Sequence, residues 1–394
     1  MLFKELTGRL GNGRIRERRP LTSNLFSQSV SLLHRLIETS SFSGEENSAA
    51  QLVEQYIAGY GIKVKRKDNN VWCYNKFYDA LKPTILLNSH LDTVQPNEGY
   101  TRDPFCAEVA NGRLYGLGSN DAGGCLVALV ATFLHYYNYQ GLGFNLCFAA
   151  TAEEENSGEK GIKSIVPLLG KLDLAIVGEP TLLQMAIAEK GNIVIDCIYT
   201  GRSGHAAREE GDNAIYKCIN DLNWFRTYQF SQVVEGLTPV KMAITVIKAG
   251  IQHNIVPSKC EFTVDIRHDS SYTHQQILET IKMNTSAQVI VHPGPVCASS
   301  ISPEHAIVKT GIAIGCKTYI SPTSSDQAWL HIPSVKIGPG DSARSHSPDE
   351  YIFIEEIKKG IDLYTKLLDM LPFVLINNPE ISESKCDKSS AAME

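Results

Sequence analysis

No Cys-x-x-Cys pair occurs in this chain, no apolar run is long enough to cross a bilayer, and basic residues are not in excess. Each lack closes a class of protein. The ten cysteines are scattered singly, several inside apolar runs such as Leu146-Cys147-Phe148. They read as reduced, mostly buried thiols of a cytoplasmic protein, not as a disulfide framework or a thiolate zinc site. A membrane-spanning helix needs about twenty consecutive apolar residues, so no membrane partner is expected. A net charge of −6 supplies no field to hold nucleic acid. The stretch from Gly112 to Gly124 lacks the Gly-Lys-Ser/Thr ending of a phosphate-binding loop, and its Asp121 would repel a phosphate.

What is present is the composition of an ordinary globular protein, 43% hydrophobic and 20% charged, on a chain of 394 residues. That length allows two domains around sizeable cores. Residues 1–24 are basic without a continuous apolar stretch and are expected to be a disordered extension, not a secretory signal. The tail 376–394, rich in Ser, Lys and Glu, is expected to be disordered as well.

Between these ends, Ser27–Tyr60 has helical periodicity broken at Ser-Phe-Ser-Gly, and short β-like runs follow at Ile62–Val64 and Val71–Tyr74. The apolar run Ile85-Leu-Leu-Asn-Ser-His90-Leu-Asp92 then reads as a buried strand ending in a histidine and an aspartate two residues apart. Extended backbone puts alternate side chains on one face. Asp92 could therefore accept a hydrogen bond from one ring nitrogen of His90 and leave the other for a metal. Asp121 precedes an apolar helical run from Cys125 to Tyr137, where local sequence alone favours a helix N-cap.

The strand Phe144–Ala150 ends in Thr151-Ala-Glu-Glu-Glu155, and the strand Leu172–Val177 ends in Gly178-Glu179-Pro180. Adjacent carboxylates at a buried strand end need a cation or a proton. In open α/β sheets ligands bind beyond the carboxyl ends of strands, so one crevice holding His90, Asp121, Glu155 and Glu179 is the economical expectation. From 182 to 295 the pattern changes to half-exposed strands (182–200 and 241–267) and helices (Asn213–Phe225 and Thr273–Ile281), as in an inserted α+β domain. The α/β pattern then resumes with a helix at Ile307–Gly315, a strand at Ser334–Ile337, a loop carrying His346, and a closing helix at Tyr351–Leu371. The expected layout is a catalytic domain over 25–181 and 296–375, interrupted by 182–295.

Oxygen and imidazole ligands without thiolates suit Zn²⁺, Co²⁺ or Mn²⁺. Five candidates, His90, Asp121, Glu155, Glu179 and His346, exceed one tetrahedral zinc and fit two divalent ions sharing a carboxylate. Asp121 is the natural bridge, with His90 and Glu179 on one ion and Glu155 and His346 on the other. Glu154, beside a ligand, is an adequate general base.

The motifs Ser89-His-Leu-Asp-Thr-Val94, Gly116-Leu-Gly-Ser-Asn-Asp121, Thr151-Ala-Glu-Glu-Glu155, Val177-Gly-Glu-Pro-Thr181 and Ser345-His-Ser-Pro-Asp-Glu350 resemble those of the acetylornithine deacetylase/succinyl-diaminopimelate desuccinylase family of co-catalytic zinc hydrolases. The resemblance runs from about residue 28 to 371. It implies a zinc-exopeptidase-like catalytic domain, with helices around a mixed sheet, and a smaller α+β lid and dimerisation domain. It also implies two zinc ions (cobalt being possible), the same five ligands, Glu154 as base, Asp92 behind His90, and a cis peptide at Asp121–Ala122. His205 in Gly201-Arg-Ser-Gly-His-Ala-Ala resembles the histidine that reaches a partner subunit's site in a homodimer. Asn254 and Arg267 resemble substrate-holding residues.

Departures at Glu153, Arg208 and Thr323-Ser-Ser-Asp326 leave the metal residues intact and the substrate open. The activity implied is removal of an N-acyl group from a small amino acid. N-acetylornithine in arginine biosynthesis comes first, with acetyl- or succinyl-citrulline, or a dipeptidase or aminopeptidase activity, as alternatives. Arg208, Arg344 and Lys190 are candidates for a succinyl carboxylate.

Overall fold

The structure is a computed structural model and describes residues 23–231 and 239–372. The expected tail 376–394 and all but the last two residues of the expected extension 1–24 lie outside them. Ser23 and Asn24 open a helix, Ser23–Ile37.

A nine-stranded mixed sheet forms the larger core. Its strands lie in the order Lys65–Lys67, Asn70–Tyr74, Asn145–Thr151, Thr84–His90, Leu174–Val177, Ser334–Lys336, Met185–Glu189, Ser299–Ser300, and Thr318–Ser321 also pairs with Met185–Glu189. The four central strands, from Asn145–Thr151 to Ser334–Lys336, are mutually parallel. Parallel strands are covered on both faces and therefore read as unbroken apolar runs. Thr84–His90 and Asn145–Thr151 accordingly have every residue buried.

Alternation sorts their side chains. Ile85, Leu87, Leu146 and Phe148 face a core shared with the helices Ser23–Ile37, Asn47–Ala58, Gly124–Tyr136 and Ile354–Met370. Leu86, Cys147, Ala175 and Val177 face a smaller cluster with Ile162, Ile165, Leu169 and Leu330. The helix Gly124–Tyr136 is buried nearly all round, as its predominantly apolar sequence requires.

A second sheet is antiparallel, in the order Lys241–Ala249, Lys259–His268, Gly191–Thr200, Gln288–Val291. Burial alternates strictly along Gly191–Thr200 and Lys259–His268, so one face is buried. The helices Ala214–Thr227 and His274–Asn284 share its core through Cys218, Phe225, Ile277 and Ile281.

Three expectations shift. Met185–Glu189, read with the inserted segment, pairs in the large sheet, where its neighbours bury it almost completely. Ile62–Val64 is not a strand. The chain pairs instead at Lys65–Lys67 in a hairpin with Asn70–Tyr74. Tyr351–Phe353 is a short strand against Arg113–Tyr115, with the closing helix starting at Ile354. Among the described cysteines eight are free thiols, six of them buried, while Cys297 is disulfide-bonded. Among the described residues no helix is long and apolar enough to cross a membrane.

Candidate metal centre

Each expected ligand sits just past or at the carboxyl end of a parallel strand, or on the glycine-rich loop beside one. His90 is the last residue of Thr84–His90, Glu155 follows Asn145–Thr151, Glu179 follows Leu174–Val177, and His346 lies on the loop that leaves Ser334–Lys336. Asp121 comes from the loop before the buried helix Gly124–Tyr136. It is not that helix's N-cap, a position taken by Gly123 without any side-chain bond. Its carboxylate turns toward the strand ends instead.

The five side chains converge. His90 Nε2 is 3.3 Å from Asp121 Oδ1 and 3.6 Å from Glu179 Oε1. His346 Nε2 is 3.7 Å from Asp121 Oδ2 and 2.9 Å from Glu155 Oε2. The two oxygens of Asp121 thus face different histidines, each of which also meets a second carboxylate. His90, Asp121 and Glu155 each offer a ligand atom within 4.8 Å of the others. The Asp121–Ala122 peptide is cis, as the resemblance implies.

The electrostatics of this cluster call for cations. Burial alone would lower the pKa of His90, but hydrogen bonds to Asp121 and Asp92 and the charges of Glu179 and Glu154 hold it well above the ordinary histidine value. Burial would raise Asp121, yet His90 holds it below the usual carboxylate range. Glu179 is pushed up to about 8, first by burial and then by the charge of Asp121. Burial and neighbouring carboxylates also raise Glu155 and, further, Glu154. His346 is raised to about 9, mainly by its hydrogen bond to Glu155. Glu179 Oε1 is buried with no hydrogen-bond partner, an expense that a coordinated cation would remove. The donor set is imidazole and carboxylate only, so the residues present fit two borderline or hard divalent ions.

Asp92 does more than the sequence shows. The Nδ1 of His90 lies 2.9 Å from the backbone carbonyl oxygen of Asp92 and 3.5 Å from its carboxylate. That carboxylate instead accepts the backbone N–H groups of Glu154 and Glu155, both at 3.1 Å, and the hydroxyl of Ser43 at 2.7 Å. Asp92 therefore holds the histidine ring through its carbonyl and, through its carboxylate, fixes the turn that carries Glu154 and Glu155. Glu46 supports the same turn, accepting the N–H groups of Gly44 and Glu153 and the side-chain amide of Asn69. Asp326, fully buried, is bonded by the Thr151 hydroxyl and raised to about 6, first by desolvation. Ser43, Glu46 and Asp326 carry no local signal in the sequence, because their partners are distant in the chain.

His205 and Asn254 lie together, away from the cluster. Residues 205 and 255 form an isolated bridge, Ala206 N–H donates to the Asn254 carbonyl at 3.0 Å, and both side chains line an open cavity of about 440 Å³ with Ser203 and Gln252. Asn254 Oδ1 is buried and unpartnered. Among the described residues no hydrogen bond or ion pair joins either to the five clustered side chains. Arg267 forms two bonds with Asp265 of its own strand, Nε to Oδ1 at 2.8 Å and Nη2 to Oδ2 at 3.0 Å. Arg344 grips Glu356 with both terminal nitrogens and sits over Tyr351, so it is scaffold and not a free anion receptor.

Comparison with known proteins gives the fold and the family. The chain is 26% identical over 377 residues to succinyl-diaminopimelate desuccinylase 2 of Ruegeria sp. (strain TM1040), covering 86% of this chain and 94% of that one. It is 29% identical over 310 residues to acetylornithine deacetylase of Pectobacterium carotovorum, covering 73% and 80%. Among solved structures, aminopeptidase PepT of Bacillus cereus superposes with a TM-score of 0.71 at 18% identity, covering 87% of this chain and 98% of that one. The YXEP protein of Bacillus subtilis, described as a dinuclear metal-binding peptidase, superposes at 0.66 and 15%, covering 89% and 99%. The profile of peptidase family M20/M25/M40 matches residues 86–370, and the chain belongs to that family.

Proposed function

We propose that this protein is a hydrolase that removes an acyl group from the α-nitrogen of a small amino acid, with N-acetylornithine as first substrate and acyl-citrulline as the alternative. The observation that carries the reading is the Asp121 carboxylate set between His90 and His346, each already paired with a second carboxylate. His90 and Glu179 would hold one ion, Glu155 and His346 the other, and Asp121 both. Two divalent ions there, zinc or cobalt, supply Lewis acidity toward an amide carbonyl and a water.

The chain's own residues do the rest. Glu154, raised by burial and by neighbouring carboxylates, is suited to take a proton from the attacking water and return it to the leaving amine. The segment beyond Glu189 serves as lid and dimerisation domain, and His205 from a second copy donates to the oxyanion. Asn254 and Arg267 hold the amino-acid part. Asp265 occupies two of the N–H donors of Arg267, and further donors of the guanidinium face a substrate carboxylate. Deacylases of both kinds among the relatives support acyl-amino acids over peptides, and eight free thiols against one disulfide-bonded cysteine among the described residues suit a cytoplasmic setting.

The test is a hydrolysis panel of acetyl and succinyl derivatives of ornithine, citrulline and diaminopimelate, set against dipeptides, before and after chelation. Acyl-amino acids should be cleaved in preference, with activity lost to chelator and restored by Zn²⁺ or Co²⁺. Preferred cleavage of dipeptides would move the protein to the peptidases, and full activity in excess chelator would remove the ions from the account.

A further inference from the structure

The motif that carries His346 ends in Glu350, a residue with no part in the chemistry above. Glu350 is 2% exposed, and among the described residues it makes no ion pair. A buried carboxylate needs compensation, and here it comes from backbone. Its Oε1 accepts the N–H groups of Asn120 at 2.8 Å and Asp121 at 2.9 Å, and its Oε2 accepts that of Gly118 at 3.1 Å. The Glu350 carbonyl accepts a fourth, from Gly116 at 2.9 Å.

The same loop is tied a second time. The Asn120 side chain donates to the Asp341 carbonyl and accepts from the Asp341 N–H, both at 3.0 Å. Gly118 can hold its place in this nest because its φ is +74°, and an added Cβ would stand 2.5 Å from Thr93 Cγ2.

We propose that Glu350 is a positioning residue for the two-ion site. Its carboxylate gathers the amides of Gly118, Asn120 and Asp121 so that Asp121 can address His90 with one oxygen and His346 with the other. Because Glu350 lies four residues after His346, one side chain fixes two ligands relative to each other. Three amide bonds to one buried side chain fix the loop by geometry, whether or not an ion is bound. The inference rests on the two-ion reading above.

The test uses the full chain as Glu350→Gln and Glu350→Ala, with two readouts besides activity. Hydrogen exchange of the segment 117–124 in metal-free protein reads the nest directly. Titration with Co²⁺ against a competing chelator, followed by the visible absorption of bound cobalt, reads the site. Residues that orient ligands from behind typically cost 10–100-fold in metal affinity. Glu350→Ala should therefore exchange faster and bind Co²⁺ about 10-fold or more weakly, with an altered spectrum, and Glu350→Gln should fall between.

Wild-type exchange and wild-type affinity in Glu350→Ala would overturn the assignment. Should that variant not fold, unchanged Co²⁺ affinity in Glu350→Gln would overturn it equally. A wild-type protein that takes up no Co²⁺ would sink the two-ion reading, while the exchange data would still decide whether Glu350 holds the loop.

Discussion

Glu154 and Glu155 are adjacent in sequence yet stand in different surroundings, and the turn that carries them is held by Asp92 through both of their N–H groups. Glu155 is committed to His346 at 2.9 Å. Glu154 makes no ion pair among the described residues and is the more strongly raised of the two. A Glu154→Gln variant keeps the shape and the turn but cannot accept a proton. It should bind metal as wild type does and lose about 10²-fold or more in kcat, the usual range for removal of a general base. Single-turnover kinetics beside metal analysis checks this, and near-normal turnover would take Glu154 out of the mechanism.

Which residues were legible in sequence follows from how they signal. Asp121 and His346 sit in polar loops and were legible through their motifs, whereas His90, Glu155 and Glu179 stand at or just past the end of an apolar run, a local signal that survives without coordinates. Asp92 was visible for the same reason, although its carboxylate serves the glutamate turn more than the histidine. Glu46, Asp326 and the role of Glu350 were not legible. Each acts by accepting bonds from backbone or hydroxyl groups far along the chain, and a sequence shows none of those partners.

At the scale of elements, the junction between the two sheets is the most telling region. Glu189, the last residue of its strand, is fully paired in the interior. Lys336 Nζ lies 2.7 Å away, and Ser325 donates from both its hydroxyl and its N–H. Two residues on, Gly191 starts the second sheet, where an added Cβ would stand 2.3 Å from His268 Nε2. His268 in turn shares a 3.0 Å contact with His274 Nε2, and its Nδ1 bonds the Asp269 carbonyl.

Burial lowers His268 to about 4 and lowers His274 as well, with the neighbouring Asp269 charge opposing only weakly. A histidine whose folded pKa is depressed binds its proton more readily when unfolded. Its contribution is therefore intact above about pH 6.5, the unfolded value, and declines as pH falls toward 4. Denaturant melts between pH 7 and 4.5 should show wild type losing about 2–3 kcal/mol more than a His268→Gln variant. Parallel pH profiles for the two proteins would contradict it.

The whole molecule was legible in its alternation: apolar strands and helices in turn imply an α/β layout around a mixed sheet, and a mixed sheet with four parallel central strands is present. The crossover into the second sheet was less legible, because Met185–Glu189 reads as a half-exposed strand until its neighbours in the large sheet are known. Among the described residues, no hydrogen bond or ion pair joins His205 to the five clustered side chains. His205 is exposed beside Asn254, on a cavity away from the cluster. The antiparallel sheet of the same segment ends in Lys241–Ala249, an edge strand with Val246 and Ile247 exposed, and unpaired edges with apolar side chains are covered in stable proteins.

A second copy on that sheet, related by two-fold symmetry, would deliver two histidines to two sites. Mixing His205→Ala with Glu154→Gln tests this without a structure of the dimer. Each variant alone is deficient at every site. In a mixed dimer, one site joins the intact Glu154 of one chain to the intact His205 of the other. With equal amounts and random exchange, about half the dimers are mixed, and the mixture should recover about one quarter of wild-type activity. If each chain supplies its own histidine, the mixture stays at the sum of two crippled enzymes at every ratio.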